Sequence, residues 1–205
     1  MKEYQKIQSI FKRDERTHKF IIGEYSLPEF EYLAYNYWIG TEKVDGTNVR
    51  INWDGGKIEF GGRTDNAQMP LSLLQRLEQL FPIEKFKTLY PETPMTLYGE
   101  GYGAGIQKGG GNYIPTGVDF ILIDVLVDEW WLKREDIEDV ANKLGIKVVP
   151  VVYGGKLISA IQPVKQGLKS TFGDFMAEGM VLKPAIELKT RSGDRIITKL
   201  KTKDF

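Results

Sequence analysis

Between Trp38 and Thr64 the side chains follow a period of two. Val49, Ile51 and Trp53 alternate with Arg50 and Asn52, the chain turns at Asp54-Gly55-Gly56, and it resumes as Lys57-Ile58-Glu59-Phe60. Alternation puts successive side chains on opposite faces of a strand, and a glycine turn between two such runs joins them antiparallel. The segment therefore predicts a β-meander. A doubly wound parallel sheet would demand long crossovers at this point, and there is no room for one.

The rest of the chain fits that frame. Thr96-Leu97-Tyr98-Gly99-Glu100 reads as a strand entering a glycine-rich stretch, Gly99 to Gly111. Phe120 to Val127 is the most apolar strand, so these two runs are expected at the centre of a sheet. Pro70 suits a first helical position, and Leu71, Leu74, Leu77 and Phe81 follow at helical spacing up to Pro82. A second helix is predicted over Arg134 to Leu144, with Ile137, Val140, Ala141 and Leu144 on one face and Gly145 as a left-handed stop. Val148 to Val152 returns as a strand, Lys156 to Leu168 is a weaker helix interrupted by Pro163, and two short strands, Gly179 to Lys183 and Arg195 to Lys201, close the chain. Meanders with separated helices give an α+β class with mainly antiparallel sheets. The 205 residues suffice for one domain, with no repeat or clear linker.

Composition narrows the chemistry. Cysteine is absent and His18 is the only histidine, which excludes disulfides, thiolate metal sites and cysteine nucleophiles. No apolar run reaches the length of a membrane span, and Met1-Lys2-Glu3-Tyr4 lacks a secretory core, so an intracellular protein without membrane contact is expected. Lys+Arg and Asp+Glu balance at 28 each, so any polyanion site must be local. The basic segments Lys2 to Lys19 and Lys183 to Lys203 could supply it, or could be solvated faces.

Lys43 heads the run Lys43-Val44-Asp45-Gly46-Thr47-Asn48-Val49-Arg50. A lysine attacks phosphorus only as the free amine, so it needs cationic neighbours and a site that neutralises phosphate charge. Lys199, Lys201 and a bound cation are the candidates. Asp45-Gly46 suits a tight turn at a strand end, although the octamer alone is equally an ordinary hairpin. Glu178 stands at one end of a short strand and Lys183 at the other, beside where a phosphate chain could lie; the carboxylate could hold Mg²⁺, or the strand could simply have charged ends. Lys199 and Lys201 share a strand face, an unfavourable pairing unless an anion lies between them, or unless both are solvated on an edge.

Taken in order, Lys43-Val44-Asp45-Gly46, Arg63 in Gly62-Arg63-Thr64, Glu100 in Tyr98-Gly99-Glu100-Gly101, Phe120 four residues before Asp124, Glu178-Gly179-Met180-Val181-Leu182-Lys183 and Lys199-Leu200-Lys201 resemble the nucleotidyltransferase motifs of the covalent ligase and capping-enzyme superfamily. Lys43 to Asn48, Gly105-Ile106-Gln107-Lys108 and the closing Lys199 to Phe205 look most like the nick-sealing RNA ligase branch found in phages and in trypanosome RNA editing. The resemblance implies a nucleotidyltransferase (ATP-grasp-like) ligase core flanked by helices. It also implies an ATP-dependent RNA ligase that forms lysyl-AMP on Lys43, passes AMP to a 5′-phosphate and joins that end to a 3′-hydroxyl, with a nicked RNA-containing duplex as the expected substrate.

By the same resemblance, Arg63 and Glu100 hold the ribose and the lysine-proximal side, Phe120 stacks on adenine, and backbone near Glu42 reads the base edge. Lys183 lies along the phosphates, Lys199 and Lys201 grip the α-phosphate, and Glu178 and Asn48 place Mg²⁺ or Mn²⁺ and its waters. Stacking on an aromatic face is worth about 1–3 kcal/mol. The chain stops four residues after Lys201, so neither an appended oligonucleotide-binding barrel nor a helical C-terminal domain is expected in it, and a protein partner could supply the missing domain. DNA nick sealing, a GTP-using capping-type reaction and a non-enzymatic nucleotide-binding module are the alternatives. A phosphate-loop enzyme is not, because Gly155-Lys156 is followed by Leu157 and Gly56-Lys57 by Ile58.

Overall fold

The computed structural model describes all residues, Met1–Phe205. The chain forms two compact units: unit 1 comprises Met1–Tyr4 and Asp45–Val149, and unit 2 comprises Gln5–Val44 and Pro150–Phe205. Both are α+β with mainly antiparallel sheets.

In unit 1 the sheet order is Lys147–Val148, Val118–Val127, Met95–Gly103, Thr47–Trp53 and Ile58–Gly61, so the two runs expected at the centre do lie inside the sheet. The predicted alternation holds on one face, where Val49, Ile51 and Trp53 are fully buried with Leu97, Phe120 and Leu122 under the helices. It misleads on the other. Arg50 is also fully buried, because residues 1–4 cover that face: Tyr98 Oη donates to the Lys2 carbonyl, Arg50 Nη1 donates to the Met1 carbonyl, and Tyr4 packs on Tyr98 and Trp131 while its hydroxyl binds Asp124.

Helix Leu71–Leu80 starts one residue later than expected, with Pro70 as its N-cap, and its stripe is rotated. Leu73, Leu77 and Phe81 are buried, whereas Leu71 is 68% exposed. A further helix, Ile83–Leu89, follows Pro82; its single buried residue, Phe86, gives too little periodicity to read. Helix Arg134–Leu144 buries Ile137, Val140, Ala141 and Leu144 and ends at Gly145 with φ of 68°, as the pattern predicts.

Unit 2 is built on a sheet ordered Gln8–Ser9, Thr198–Lys201, Gly179–Pro184, Tyr37–Glu42 and Val151–Lys156, antiparallel except for the first pair. A separate hairpin pairs Phe11–Arg13 with Phe20–Tyr25. The expected strand 148–152 is split at Pro150, with Lys147–Val148 in the sheet of unit 1 and Val151–Lys156 in that of unit 2. The expected helix 156–168 resolves into a 3₁₀ turn, Leu157–Ala160, and a short helix, Ile161–Lys165. Pro163 sits in its first turn, where a missing N–H costs no helical hydrogen bond. The core lies on one sheet face: Trp38, Met180, Leu182 and Leu200 are fully buried with Phe30, Leu157 and Val164.

Candidate active site

Strand register assigns the lysines of unit 2. Met180 and Leu182 pair with Leu200 and Thr198 and all four point into the core, so the intervening residues, Lys183, Lys199 and Lys201, belong to the opposite face. Lys199 and Lys201 thus do share a face. Lys43 follows the Tyr37–Glu42 strand and is tied to the next one by its backbone N–H, which donates to the Gly179 carbonyl at 3.0 Å. Gly179 has φ of 152°, and a Cβ there would collide with the Leu200 carbonyl, so only glycine lets these backbones close up beside Glu178.

Glu178 is the hub. Its Oε2 is 2.5 Å from Lys43 Nζ and its Oε1 is 2.5 Å from Lys201 Nζ, with the carboxylate only 16% exposed. Burial pushes the Glu178 carboxyl up, but Lys43 and Lys201 outweigh burial and hold it below the ordinary glutamate value. Thr202 N–H donates to the Glu178 carbonyl and Thr202 Oγ1 to the Ala177 carbonyl, locking the end of the lysine strand to the segment that carries the carboxylate. Lys199 makes no ion pair of its own. Burial, followed by the fields of Lys201, Lys43 and Arg13, lowers its pKa. Three lysines therefore surround one carboxylate, and that surplus of positive charge suits an anion.

Glu42 plays a different part from the one its place in the sequence suggests. It is 1% exposed, and its carboxylate accepts from Ser170 Oγ at 2.6 Å, Thr171 N at 2.8 Å and Thr171 Oγ1 at 2.7 Å. Its side chain therefore pins the 170–171 turn, leaving backbone groups for any contact with a base. Nothing in the spacing of Ser170 and Thr171 announces this role.

Unit 1 holds the remaining motif residues. Asn48 and Glu100 face each other across paired strands, and the buried Oδ1 of Asn48 has no hydrogen-bond partner. Asp45 and Gly46, next after Lys43-Val44, are held by the loop that follows Met95–Gly103: Asp45 N–H donates to Tyr113 Oη at 3.2 Å and Gln107 Nε2 donates to the Gly46 carbonyl at 2.9 Å. A Cβ at Gly46 would strike the Gly101 carbonyl. Arg63 is exposed on a turn anchored by Arg50, whose Nε donates to the Gly62 carbonyl and whose Nη2 pairs with Asp65. Phe120 is 1% exposed and meets Phe81 edge-on at 5.4 Å, so stacking on a base requires one face of its ring to be uncovered.

A family model described as RNA ligase matches residues 36–201. The chain belongs to the RNA ligase family. Solved structures of the Naegleria gruberi RNA ligase share the fold. The complex with PPi aligns at a TM-score of 0.68 and 18% identity, covering 95% of this chain and 55% of that one. An apo mutant gives 0.70 and 17%, covering 96% and 57%, and a mutant with ATP and Mn gives 0.67 and 19%, covering 85% and 52%. The chain spans about half the length of these ligases. No helix is long and apolar enough to cross a membrane.

Proposed function

We propose that this member of the RNA ligase family is an ATP-dependent RNA ligase core working through a covalent lysyl-AMP on Lys43. The observation that carries the reading is Glu178 gripped by Lys43 and Lys201, with Lys199 beside them and no carboxylate of its own. In the first step Lys43 Nζ, as the free amine, forms a bond to the α-phosphorus of ATP, the bond from that phosphorus to the bridging oxygen breaks, and pyrophosphate leaves. Lys199 and Lys201 take the α-phosphate oxygens, where charge accumulates. The AMP next passes to a 5′-phosphate, releasing Lys43, and a 3′-hydroxyl displaces it to leave a phosphodiester bond. No histidine is needed, since this chemistry asks chiefly for positioning and charge neutralisation.

A divalent cation, Mg²⁺ or Mn²⁺, supplies charge neutralisation at the phosphates when bound. No group of three or more acidic, histidine or cysteine residues forms a ready cage, which fits a cation that keeps its waters and is held by one or two protein oxygens plus phosphate. Glu178 is one such oxygen donor in unit 2. In unit 1 the unpartnered Asn48 Oδ1 is the kind of acceptor that a cation's water would satisfy. The Naegleria gruberi RNA ligase was solved with ATP and Mn, which supports a divalent cation as cofactor here. Arg63, Glu100, Phe120 and Lys183 are assigned to the nucleotide by their motif positions, with ATP preferred over GTP.

We further infer that the substrate is a nicked, RNA-containing duplex, as the branch resemblance suggests, and that a further domain or protein partner contributes to strand binding. The same branch resemblance suggests action inside a cell, in a phage or bacterial setting. The deciding experiment mixes the protein with Mg²⁺ and ATP. One added AMP should map to Lys43, and Lys43→Ala should stay folded and take none; an adduct on another residue, or none at all, sinks the reading. Equal labelling by GTP would favour the capping-type reaction, and a preference for all-DNA nicks would favour a DNA ligase.

A further inference from the structure

The hairpin Phe11–Tyr25 carries none of the motif residues, yet it ends beside them. Strand Gln8–Ser9 runs parallel to Thr198–Lys201 with Ser9 opposite Lys199, and the Ile10 N–H donates to the Lys199 carbonyl at 3.3 Å. Arg13 folds back onto Ser9, donating from Nη2 to Ser9 Oγ at 2.9 Å and pairing through the same nitrogen with Asp204 Oδ2 at 2.5 Å. Its guanidinium carbon lies 5.6 Å from the centre of the Phe20 ring, which is itself packed edge-on against Phe11 and Phe205.

These contacts occupy one nitrogen and one face of the guanidinium. Nε and Nη1 have no protein partner, and the side chain is 38% exposed. A guanidinium fixed at one edge with the other donors free is preorganised for the planar, two-point recognition of a phosphate. The charge balance agrees: Lys43, Lys199, Lys201 and Arg13 stand against only Glu178 and Asp204. Burial and the neighbouring cations lower the Lys199 pKa, a cost that a bound anion would relieve.

We propose that Arg13, which lies outside the motif residues, extends the lysine cluster on its Lys199 side into a second phosphate subsite. The inference rests on the ligase reading for what arrives there: a phosphate of the ATP triphosphate or of the nucleic-acid strand. Two pairs of ligands separate the sources. ATP against AMP reports the β- and γ-phosphates, and a 5′-phosphorylated RNA strand against its 5′-hydroxyl form reports the strand phosphate.

Direct binding titrations on the full chain test it. Arg13→Ala should weaken one phosphate-bearing ligand about tenfold while leaving its partner ligand within about twofold. Arg13→Gln keeps a donor for Asp204 but loses the charge and the fork, so it should show the same loss and decides the matter if the alanine variant fails to fold. Asp204→Asn removes the charge of the anchor but keeps an oxygen that can accept from Arg13 Nη2, so it should stay within about twofold of the parent. Unchanged affinity for both pairs in the Arg13 variants overturns the proposal, as does an Asp204→Asn variant as impaired as Arg13→Ala, which would make Arg13 a structural brace. Because binding is read without turnover, a chain that shows the Arg13 effect but forms no lysyl-AMP would overturn the ligase reading and leave the subsite standing.

Discussion

Arg50 in unit 1 and the lysine cluster in unit 2 are both charged groups withdrawn from water, and they are satisfied in opposite ways. Arg50 is fully buried and closed: Nε gives to the Gly62 carbonyl at 2.6 Å, Nη1 to the Met1 carbonyl at 2.9 Å and Nη2 to Asp65 Oδ1 at 2.9 Å. Two of its three acceptors are backbone carbonyls, so its contribution is to fasten the N-terminus and the 62–65 turn to the sheet. Around Glu178 the account stays open. One carboxylate serves two lysines, and Lys199 is left to bear the cost of burial among like charges. A closed network holds a fold together, whereas an open one is completed by something the chain does not contain.

Three substitutions sharpen or break that contrast. The largest effect is expected from Glu178→Gln, which keeps the shape but removes the charge holding Lys43 and Lys201. Lysyl-AMP formation should fall by about 100-fold or more while thermal unfolding shifts little. Near-normal labelling would show that the carboxylate is only an ion-pair partner. Next comes Arg50→Met, which strips two backbone carbonyls, that of Gly62 buried, of their donor and should cost about 2–4 kcal/mol in denaturant unfolding. If the network is architectural, the variant that remains folded still labels Lys43; a stable variant that cannot label would place Arg50 in the chemistry instead.

The smallest effect is Lys199→Met, and its sign is the informative part. A lysine whose folded pKa is depressed binds its proton less tightly folded than unfolded, so below that pKa it detracts from stability, and the loss fades as pH rises through the folded value toward the ordinary ~10.4. Removing the charge should raise Tm by about 1–2 °C near neutral pH, and the gain should shrink in alkaline buffer. A fall in Tm at neutral pH would mean that Lys199 already has a stabilising partner, and the open account would have to be redrawn.

What could be read from the residues follows a physical line. Helix Arg134–Leu144 was legible because its stripe faces one core and its stop is a left-handed glycine. The shared face of Lys199 and Lys201 needed nothing beyond the two-residue period. Arg50 was not legible, because alternation specifies a face but cannot say that residues 1–4 will cover it. The clamp on Glu42 by Ser170 joins positions 128 apart, with no local pattern to mark either end. The Phe11–Tyr25 hairpin read only as a basic segment, since six consecutive exposed residues, 14–19, separate its strands and hide their pairing.

The route of the chain gives Lys43, the proposed nucleophile, a place in time as well as in space. Unit 1 takes nearly all of its residues from one unbroken stretch, Asp45–Val149, whereas unit 2 is made of an early piece and a late one. Lys43 belongs to the early piece, and its carboxylate partner lies 135 residues further on. During synthesis unit 1 can condense on its own while Lys43 waits without Glu178, Lys199 or Lys201. On the proposed reading, Lys43 gains its partners only when the last strand has been made, so incomplete chains, however well folded in their middle, lack a complete site.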